Sequence, residues 1–362
     1  MDQLTNYQCP NCAGPLHYGS ESGQIECDHC SSTFELAVIE QLYADKLQTA
    51  GKAGAEPQWD PSRAGGAWNS DETPHLRSYT CPSCGAGIIC DDTTAATSCP
   101  YCGNQTVIPG NLSGQLKPDF IIPFKLDKNA AIEALKRYYR KRKLLPKSFS
   151  KANHIEEIKG IYAPFWLFDG ETEADMRFRA TKVRSYTSGS YRVTKTDHFR
   201  VTRQGSISFE KVPVDGSSKM PDAHMDAIEP YAYAELKPFS TGYLPGFLAE
   251  KYDEDAKKCS ARANKRINRS TERAFAATTA GYTTLTQEYS SIVLKKGDVK
   301  YALMPVWMLS TKWNGKDFLF AMNGQTGKLI GDLPIDKGRY WSWFARISLP
   351  IAAVLAVLLF VL

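Results

Sequence analysis

Eight cysteines stand in two quartets of identical spacing, and thiolates in such a pattern bind metal ions. The first quartet is Cys9, Cys12, Cys27 and Cys30, and the second is Cys81, Cys84, Cys99 and Cys102. Each quartet reads C-x2-C-x14-C-x2-C. A Cys-x-x-Cys turn presents two thiolates on one side of a knuckle, and two knuckles complete a tetrahedron. The sequence therefore predicts two structural Zn²⁺ ions, each held by four cysteines with no open position for substrate.

The residues after the knuckles agree with this prediction. Glycine follows Cys84 and Cys102 directly, which suits a tight turn with positive φ, whereas Ser31 stands at that position in the first ribbon. A segment of about thirty residues buries little apolar surface, so the metal must supply most of its folding free energy. Disulfides, a redox Cys-x-x-Cys and rubredoxin-like iron remain open as alternatives.

The remaining candidates for chemistry do not form a catalytic pattern. Cys90 lies between the knuckles of the second ribbon as a spare thiol or a competing ligand, and Cys259 is expected to be a buried thiol in a helix. His29, His154 and His224 are expected at the surface. The chain contains no phosphate-binding glycine loop, no His-Glu-x-x-His and no nucleophile elbow. We therefore expect that the protein is not an enzyme.

The C-terminal segment is apolar enough to span a membrane. Residues 347–362 carry no charge, and extension back to Trp341 gives 22 residues, enough for a bilayer core. Trp341, Trp343 and Phe344 suit the interfacial aromatic belt, and nearby Lys and Arg residues mark the cytoplasmic side. The alternative is a buried core helix. With a polar N-terminus that predicts no signal peptide, we expect a single-pass protein of the cell membrane with its N-terminal bulk in the cytoplasm, where cysteines stay reduced.

Charge changes sign along the chain, whose overall net charge is +5. Residues 1–110 hold four Lys/Arg against thirteen Asp/Glu, a net charge of −9, which leaves +14 for the rest. Acidic ribbons are poor partners for nucleic acid, whose phosphates attract basic side chains. The positive charge is concentrated in two predicted helices, from Asp127 as N-cap to about Leu145 and from about Leu248 to Thr279. These helices are expected to lie against an anionic membrane surface, and the alternatives are solvated helix faces or faces neutralised by the acidic ribbons.

The predicted fold class is α+β, with a duplicated body between the ribbons and the membrane helix. The sequence of residues 162–168 (YAPFWLF) recurs in residues 302–309 (ALMPVWML), and a basic helix precedes each copy. Each repeat is predicted to lay a helix on an antiparallel sheet. The predicted domains are zinc ribbon 1 (1–40), a short helix and flexible linker (41–78), zinc ribbon 2 (79–110), two body repeats (111–240 and 241–336) and the transmembrane helix (341–362).

Several sequence blocks resemble a known family. They include CPNC…CDHC, YTCPSCGAGI…SCPYCGNQTVIPG, LKPDFIIPFKLDK, IEEIKGIYAPFWLFDG, SFEKVPVDGSSKM and MPVWMLSTKWNGKDFLFAMNGQTGKLIGDLP. The chain is similar, over nearly its whole length, to bacterial membrane-anchored proteins with a TFIIB-type zinc ribbon, common in Firmicutes. The resemblance implies zinc ligation by the eight quartet cysteines. It also implies a role in membrane stress, since some members are encoded beside a phage-shock (ESCRT-III-like) protein and a flotillin-like SPFH protein.

Three functions remain in competition. The first is a membrane-tethered adaptor or scaffold whose acidic ribbons recruit a cytoplasmic or membrane protein. The second is a nucleic-acid-binding regulator that uses the basic helices. The third is an enzyme or electron carrier with iron in the ribbons. The charge asymmetry and the apolar C-terminus favour the adaptor.

Overall fold

The protein is an assembly of β-strands with helices packed on the sheet. A computed structural model describes residues 9–10, 14–19, 22–41, 59–69, 72–91, 94, 98–104, 108–110, 116–152 and 155–361. The strands are β1 Leu16–Gly19, β2 Gln24–Cys27, β3 Thr33–Phe34, β4 Trp59–Asp60, β5 Leu76–Thr80, β6 Gly87–Asp91, β7 Ile108–Gly110, β8 Phe120–Ile121, β9 Lys159–Ser188, β10 Tyr191–Asp215, β11 Lys237–Pro238, β12 Leu248–Glu250, β13 Thr284–Trp313, β14 Lys316–Asn323 and β15 Leu329–Gly331. The α-helices are α1 Lys128–Arg140, α2 Lys147–Ala152, α3 Asp222–Ile228, α4 Ala256–Ala277 and α5 Lys337–Val361, and residues 36–41 are also helical.

These residues form two compact units. The arm unit comprises the described residues of 1–58, 170–208 and 267–297. The main unit comprises those of 59–169, 209–266 and 298–362. The long strands β9, β10 and β13 and the helix α4 contribute residues to both units. The mixed α+β class predicted from the sequence is confirmed.

The main unit is built on a sheet with the order β11-β8-β13-β9-β12-β6-β5-β7. It is a mixed sheet and not antiparallel throughout, because β12 runs parallel to β9 and β8 runs parallel to β13. The two copies of the Pro-apolar-Trp sequence lie on the neighbouring central strands β9 and β13. Their residues are buried on both faces, which explains the continuous apolar runs. The duplication itself stays a prediction.

Helix α1 covers one face of this sheet. Asp127 caps it, since its carboxylate accepts a hydrogen bond of 2.8 Å from the backbone N–H of Ala130. The apolar residues Ala131, Leu135 and Tyr139 recur at intervals of four and are buried in a cluster with strands β13 and β14. The helix ends at Arg140, earlier than the predicted Leu145, so the cations at 141–143 lie in the following loop.

The second predicted basic helix is shorter than expected. Residues 248–250 form strand β12, because they pair with β6 and β9, and the helix begins only at Ala256. Residues 175–183 belong to the single long strand β9.

The arm unit contains two groups of strands. Strands β1, β2 and β3 form their own antiparallel sheet around the first ribbon. Farther along the chain, alternate residues of β9 bury Ala174, Met176, Phe178 and Ala180 in a cluster with Phe275 of α4. This period of two is the pattern of a strand with one face covered.

Residues 59–69, which fall within the predicted short helix and flexible linker (41–78), are packed as part of the main unit. The indole N–H of Trp59 donates to Asn264 Oδ1 at 2.8 Å, and its ring meets Phe168 edge-on at 4.9 Å between centroids. Trp68 contacts Phe239 in the same way at 5.8 Å. Burial of these rings stabilises an ordered path for residues 59–69, although the composition of the segment indicates flexibility.

Candidate metal centres

The second quartet forms a compact four-thiol cluster. Cys81 follows strand β5 directly, Cys84 lies before β6, and Cys99 and Cys102 belong to the next turn. Their four Sγ atoms all lie within 4.8 Å of one another. The Cys81–Cys102 and Cys84–Cys99 pairs are both separated by 3.6 Å. The sequence prediction that these residues come together is confirmed by the geometry.

These sulfur spacings fit a tetrahedral metal ion. Four thiolates at a Zn–S distance of about 2.3 Å lie about 3.8 Å apart, which is close to the separations observed here. A disulfide would instead bring two sulfurs to about 2.05 Å, and none of the described cysteines forms a disulfide. Thiols are soft ligands, so this cluster and the cysteine cluster of the first ribbon are both able to hold a metal ion such as zinc or iron.

The backbone of each knuckle explains the glycines of the second ribbon. Gly85 donates its N–H to Cys81 O at 2.8 Å, and Gly103 donates to Cys99 O at 3.1 Å. Both glycines have positive φ, 73° and 71° respectively, a region in which a Cβ would be strained. The predicted turn conformation at these two positions is confirmed.

The thiols of the second cluster have unequal proton affinities. Burial raises the pKa values of Cys84 and Cys99, because the charged thiolate loses hydration. At Cys81 burial acts in the same direction, but backbone N–H donors from Cys84 and Ser83 outweigh it and lower the pKa to about 7. One thiolate is thus preorganised near neutral pH, and a bound dication would favour deprotonation of the others.

The first quartet repeats this geometry in the described residues. Cys9, Cys27 and Cys30 lie close enough to share an ion, with 3.6 Å between the Sγ atoms of Cys9 and Cys30. Cys12 lies outside the described residues. Ser31 takes the place of glycine and adopts a φ of 54°, while its N–H donates to Cys27 O at 2.9 Å. The knuckle conformation is therefore kept at a cost in backbone strain.

The two ribbons differ in how they are held. The first has a small sheet of its own, whereas strand β6 of the second pairs with β12, with Ala249 opposite Ile89. Tyr101, inside the last knuckle, donates its hydroxyl to the buried Glu250 at 2.5 Å. The second ribbon is thus part of the main sheet. This connection was not predicted from the sequence. Its signal is Glu250, the acidic residue of the otherwise apolar strand β12 (LAE).

The two spare cysteines lie outside both clusters. Cys90 is buried on β6, and its thiol donates to Thr94 O at 3.0 Å. Cys259 is buried in α4, as predicted, and burial raises its pKa to about 12. His29 is exposed, as expected. His224 contacts Asp332 at 3.3 Å, and His154 lies outside the described residues.

Helix α5 is the second candidate site. A stretch of 22 residues, Lys337–Leu358, is long and apolar enough to cross a membrane, and none of its most apolar window is buried in the protein. Trp341, Phe344 and Leu355 are all exposed. Within the described residues this apolar window is exposed, unlike a buried core helix.

Comparisons with known proteins give one full-length match. No family model and no solved structure matches the chain. A Bacillus subtilis (strain 168) protein, named "Uncharacterized protein YdjG", is 35% identical over 345 residues. The alignment covers 95% of this chain and 94% of that protein. The chain belongs to the YdjG family. That name states no activity, substrate or partner.

Proposed function

We propose that the protein is a membrane-anchored cytoplasmic adaptor, held by α5, in which both cysteine clusters bind structural Zn²⁺ and the first ribbon recruits a protein partner. The observation that carries this proposal is the C-terminal span. A 22-residue apolar helix that no part of the described chain buries has no stable place in water. Its N-terminal aromatic and basic residues suit the cytoplasmic interface.

The composition of the clusters supports a structural metal. The four ligands of the second cluster are all thiols, and four-coordinate thiolate sites are closed to substrate. A bound zinc would stabilise the fold and do no chemistry, because all of its positions are occupied by protein. Iron in the same ligands would give visible absorption, so the colour of the purified protein separates these two metals.

The first ribbon supports the recruiting role. It carries exposed apolar side chains at Tyr18, Leu36 and Val38. Residues 1–40 contain six Asp/Glu and no Lys or Arg. Exposed apolar side chains in a segment of acidic composition fit a partner that presents apolar and basic side chains. The family resemblance favours a phage-shock or SPFH-type protein as that partner.

The alternative function, nucleic-acid binding, requires cations that are not paired with acids of the protein. Helix α4 has fewer such cations than its sequence indicates. Arg262 and Arg266 are engaged by buried and half-buried acids of the main unit. The cations of α1 are exposed, so nucleic-acid binding through this helix is the alternative function. It would show itself as affinity that falls steeply with salt.

Two experiments test the proposal. Removal of residues 341–362 should release the protein from the membrane fraction into the soluble fraction. In addition, protease added outside intact spheroplasts should leave the wild-type chain uncut. A truncated chain that stays in the membrane would contradict the anchor, and external cleavage would contradict the cytoplasmic orientation.

The recruiting surface is tested by capture from mildly solubilised membranes. The variant Tyr18→Ser/Leu36→Ser/Val38→Ser should lose a protein that the wild type retains, and the purified partner should bind the wild type directly. A matched control, Val183→Ser/Tyr186→Ser/Tyr191→Ser, removes three exposed apolar residues from the arm unit and should retain the partner. Equal partner lists for all three proteins would reject the first ribbon as the recruiting surface.

A further inference from the structure

We propose that a basic groove beside the start of α5 binds the headgroup of an anionic phospholipid. The inference rests on the membrane anchoring of the proposed function and adds a specific ligand site to it. The groove is open and has a volume of about 580 Å³. Its charged lining consists of six cations and one acid, namely Lys136, Arg140, Arg142, Lys143, Lys147, Arg339 and Glu133.

The groove lies at the level where the membrane surface must meet the protein. The guanidinium of Arg339, in the first turn of α5, donates to Leu145 O at 2.6 Å. The N–H of Asp336, just before α5, donates to Leu144 O at 2.9 Å. The loop after α1 is therefore fastened to the first turn of the membrane helix. A lipid headgroup beside this helix comes within reach of the loop.

One lysine of the groove already contacts the interfacial aromatic belt. Lys143 Nζ lies over the ring of Trp343, 4.6 Å from its centroid. Trp343 is six residues beyond Lys337 in α5, or about 9 Å along the helix. Tryptophan prefers the headgroup level of a bilayer, so the ammonium of Lys143 lies at the depth of lipid phosphates.

Two cations of the groove, Arg140 and Lys143, have no acidic partner among the described residues. Glu133 is the only acidic residue between 128 and 147, and it pairs with Lys136 at 3.1 Å. Arg339 pairs with Asp336 at 3.9 Å. Within the part of the chain that the structure describes, Arg140 and Lys143 form no ion pair. Their positive charge is thus available to an external anion.

Helix α4 shows that basic sequence alone does not make such a site. Arg262 contacts Asp215, Asp222 and Asp226, and Arg266 contacts Glu229. Both guanidinium groups are therefore engaged in ion pairs within the protein. The exposed cations that α4 retains do not line the groove beside α5, so they serve as the comparison for α1 and its following loop.

The excess of charge favours a headgroup with two phosphates. A single phosphodiester carries one negative charge, whereas six cations line the groove and two of them, Arg140 and Lys143, form no ion pair within the described residues. Two phosphodiesters joined by a glycerol would engage cations on both sides of the groove. The apolar side chains of Leu145 and Ile155 in the wall of the groove suit the glycerol and the upper acyl chains. We therefore expect diphosphatidylglycerol to bind more tightly than phosphatidylglycerol, and phosphatidylcholine to bind weakly.

The test is a lipid titration of the full chain, purified in detergent and followed by native mass spectrometry. The variant Arg140→Gln/Lys143→Gln/Lys147→Gln is compared with Lys257→Gln/Lys265→Gln/Arg269→Gln, which removes three exposed cations from α4. The groove variant should bind diphosphatidylglycerol about a hundredfold more weakly, since each cation near a lipid surface contributes about a factor of five. The α4 variant should bind it with wild-type affinity. Zinc content and circular dichroism verify that both variants are folded.

Three results would overturn the proposal. The first is equal affinity of the groove variant and the wild type for diphosphatidylglycerol. The second is equal affinity of the wild type for diphosphatidylglycerol and phosphatidylcholine. The third is displacement of the lipid by millimolar inorganic phosphate, which would identify a site for a soluble anion. A failure of anchoring is distinguishable from all three, because the wild-type protein would then be found in the soluble cell fraction.

Discussion

Tyr101 and Glu250 connect the second ribbon to the centre of the main sheet. The Tyr101 hydroxyl donates to Glu250 Oε2 at 2.5 Å, and Ser217 donates to Oε1 at 2.6 Å. Both Tyr101 and Glu250 are buried. Because Tyr101 lies between Cys99 and Cys102, the knuckle that presents two thiols also fixes an internal hydrogen bond of the body.

Glu250 gives the folded protein a predicted dependence on pH. Burial raises its pKa to about 8, although the hydroxyls of Ser217 and Tyr101 partly oppose this shift. In the unfolded chain the pKa is near 4.3, so between about pH 4.3 and 8 only the folded state holds this proton. The contribution of Glu250 to stability is therefore fully present below about pH 4.3 and is lost as pH rises toward 8. The Glu250→Gln variant, which keeps a neutral side chain, should show a smaller fall in Tm between pH 6 and pH 8.

The exposed Glu171 supplies the control for this prediction. Glu171→Gln removes a carboxylate without altering the buried cluster, so its Tm should follow the wild type at both pH values. Identical pH dependence in the wild type and Glu250→Gln would mean that Glu250 is ionised in the folded protein.

Metal content should follow the two cysteine clusters. We expect two zinc ions per wild-type chain and one in Cys102→Ser, because the exposed Cys102 is one of the four clustered thiols of the second ribbon. Zinc per chain is measured by inductively coupled plasma mass spectrometry. Loss of the ion should also lower Tm, because structural zinc contributes folding free energy directly.

Cys90 is the matched control for the metal prediction. It lies in the same ribbon but outside the cluster, so Cys90→Ser should keep two zinc ions. One ion in the Cys90 variant, or two in Cys102→Ser, would contradict the ligand assignment. Absorption in the visible range would instead indicate iron.

The sequence predicted the local features of the centres better than their surroundings. Cysteine spacing indicates a cluster, and the glycines after Cys84 and Cys102 indicate the turn, because both depend on neighbouring residues only. The strand at 248–250 was predicted as the start of a helix. It forms a strand because it pairs with residues far away along the chain. Long-range pairing of this kind leaves little local signal.

The charges illustrate the same limit. Clustered Lys and Arg in the sequence predict two basic surfaces, but only coordinates show that Arg262 faces Asp215, which lies 47 residues earlier in the chain. Ion pairing depends on the fold, so helices α1 and α4 are alike in basic composition and differ in how many of their cations are paired with acids.

Arg262 is predicted to be important for stability. It approaches Asp215 at 2.9 Å, and Asp215 is only 1% exposed. Burial raises the pKa of Asp215 to about 6, although Arg262 opposes this shift. Arg262→Met would leave a buried carboxylate without compensation, so we expect a loss of about 3 kcal/mol in unfolding free energy. Denaturant unfolding of the full chain at pH 8 measures it.

A second substitution distinguishes charge from packing at this site. In Arg262→Met/Asp215→Asn no buried charge remains, so a large part of the lost stability should return. Arg269→Met, an exposed arginine of the same helix, should unfold like the wild type. A double variant no more stable than Arg262→Met would show that packing of the arginine, and not its charge, stabilises the fold.

The docked segment 59–69 should resist proteases. The composition of residues 51–78 predicts rapid cleavage, but Trp59 is held by Asn264 and Phe168 in the structure. Trypsin should therefore cut slowly after Arg63 in the native wild type. Trp59→Ala removes the hydrogen bond and the ring contact, so cleavage there should be about 30-fold faster, which corresponds to about 2 kcal/mol of lost docking free energy. Trp341→Ala, on the exposed helix α5, should leave the rate unchanged. Rapid cleavage after Arg63 in the wild type would instead mean that the segment is undocked in solution.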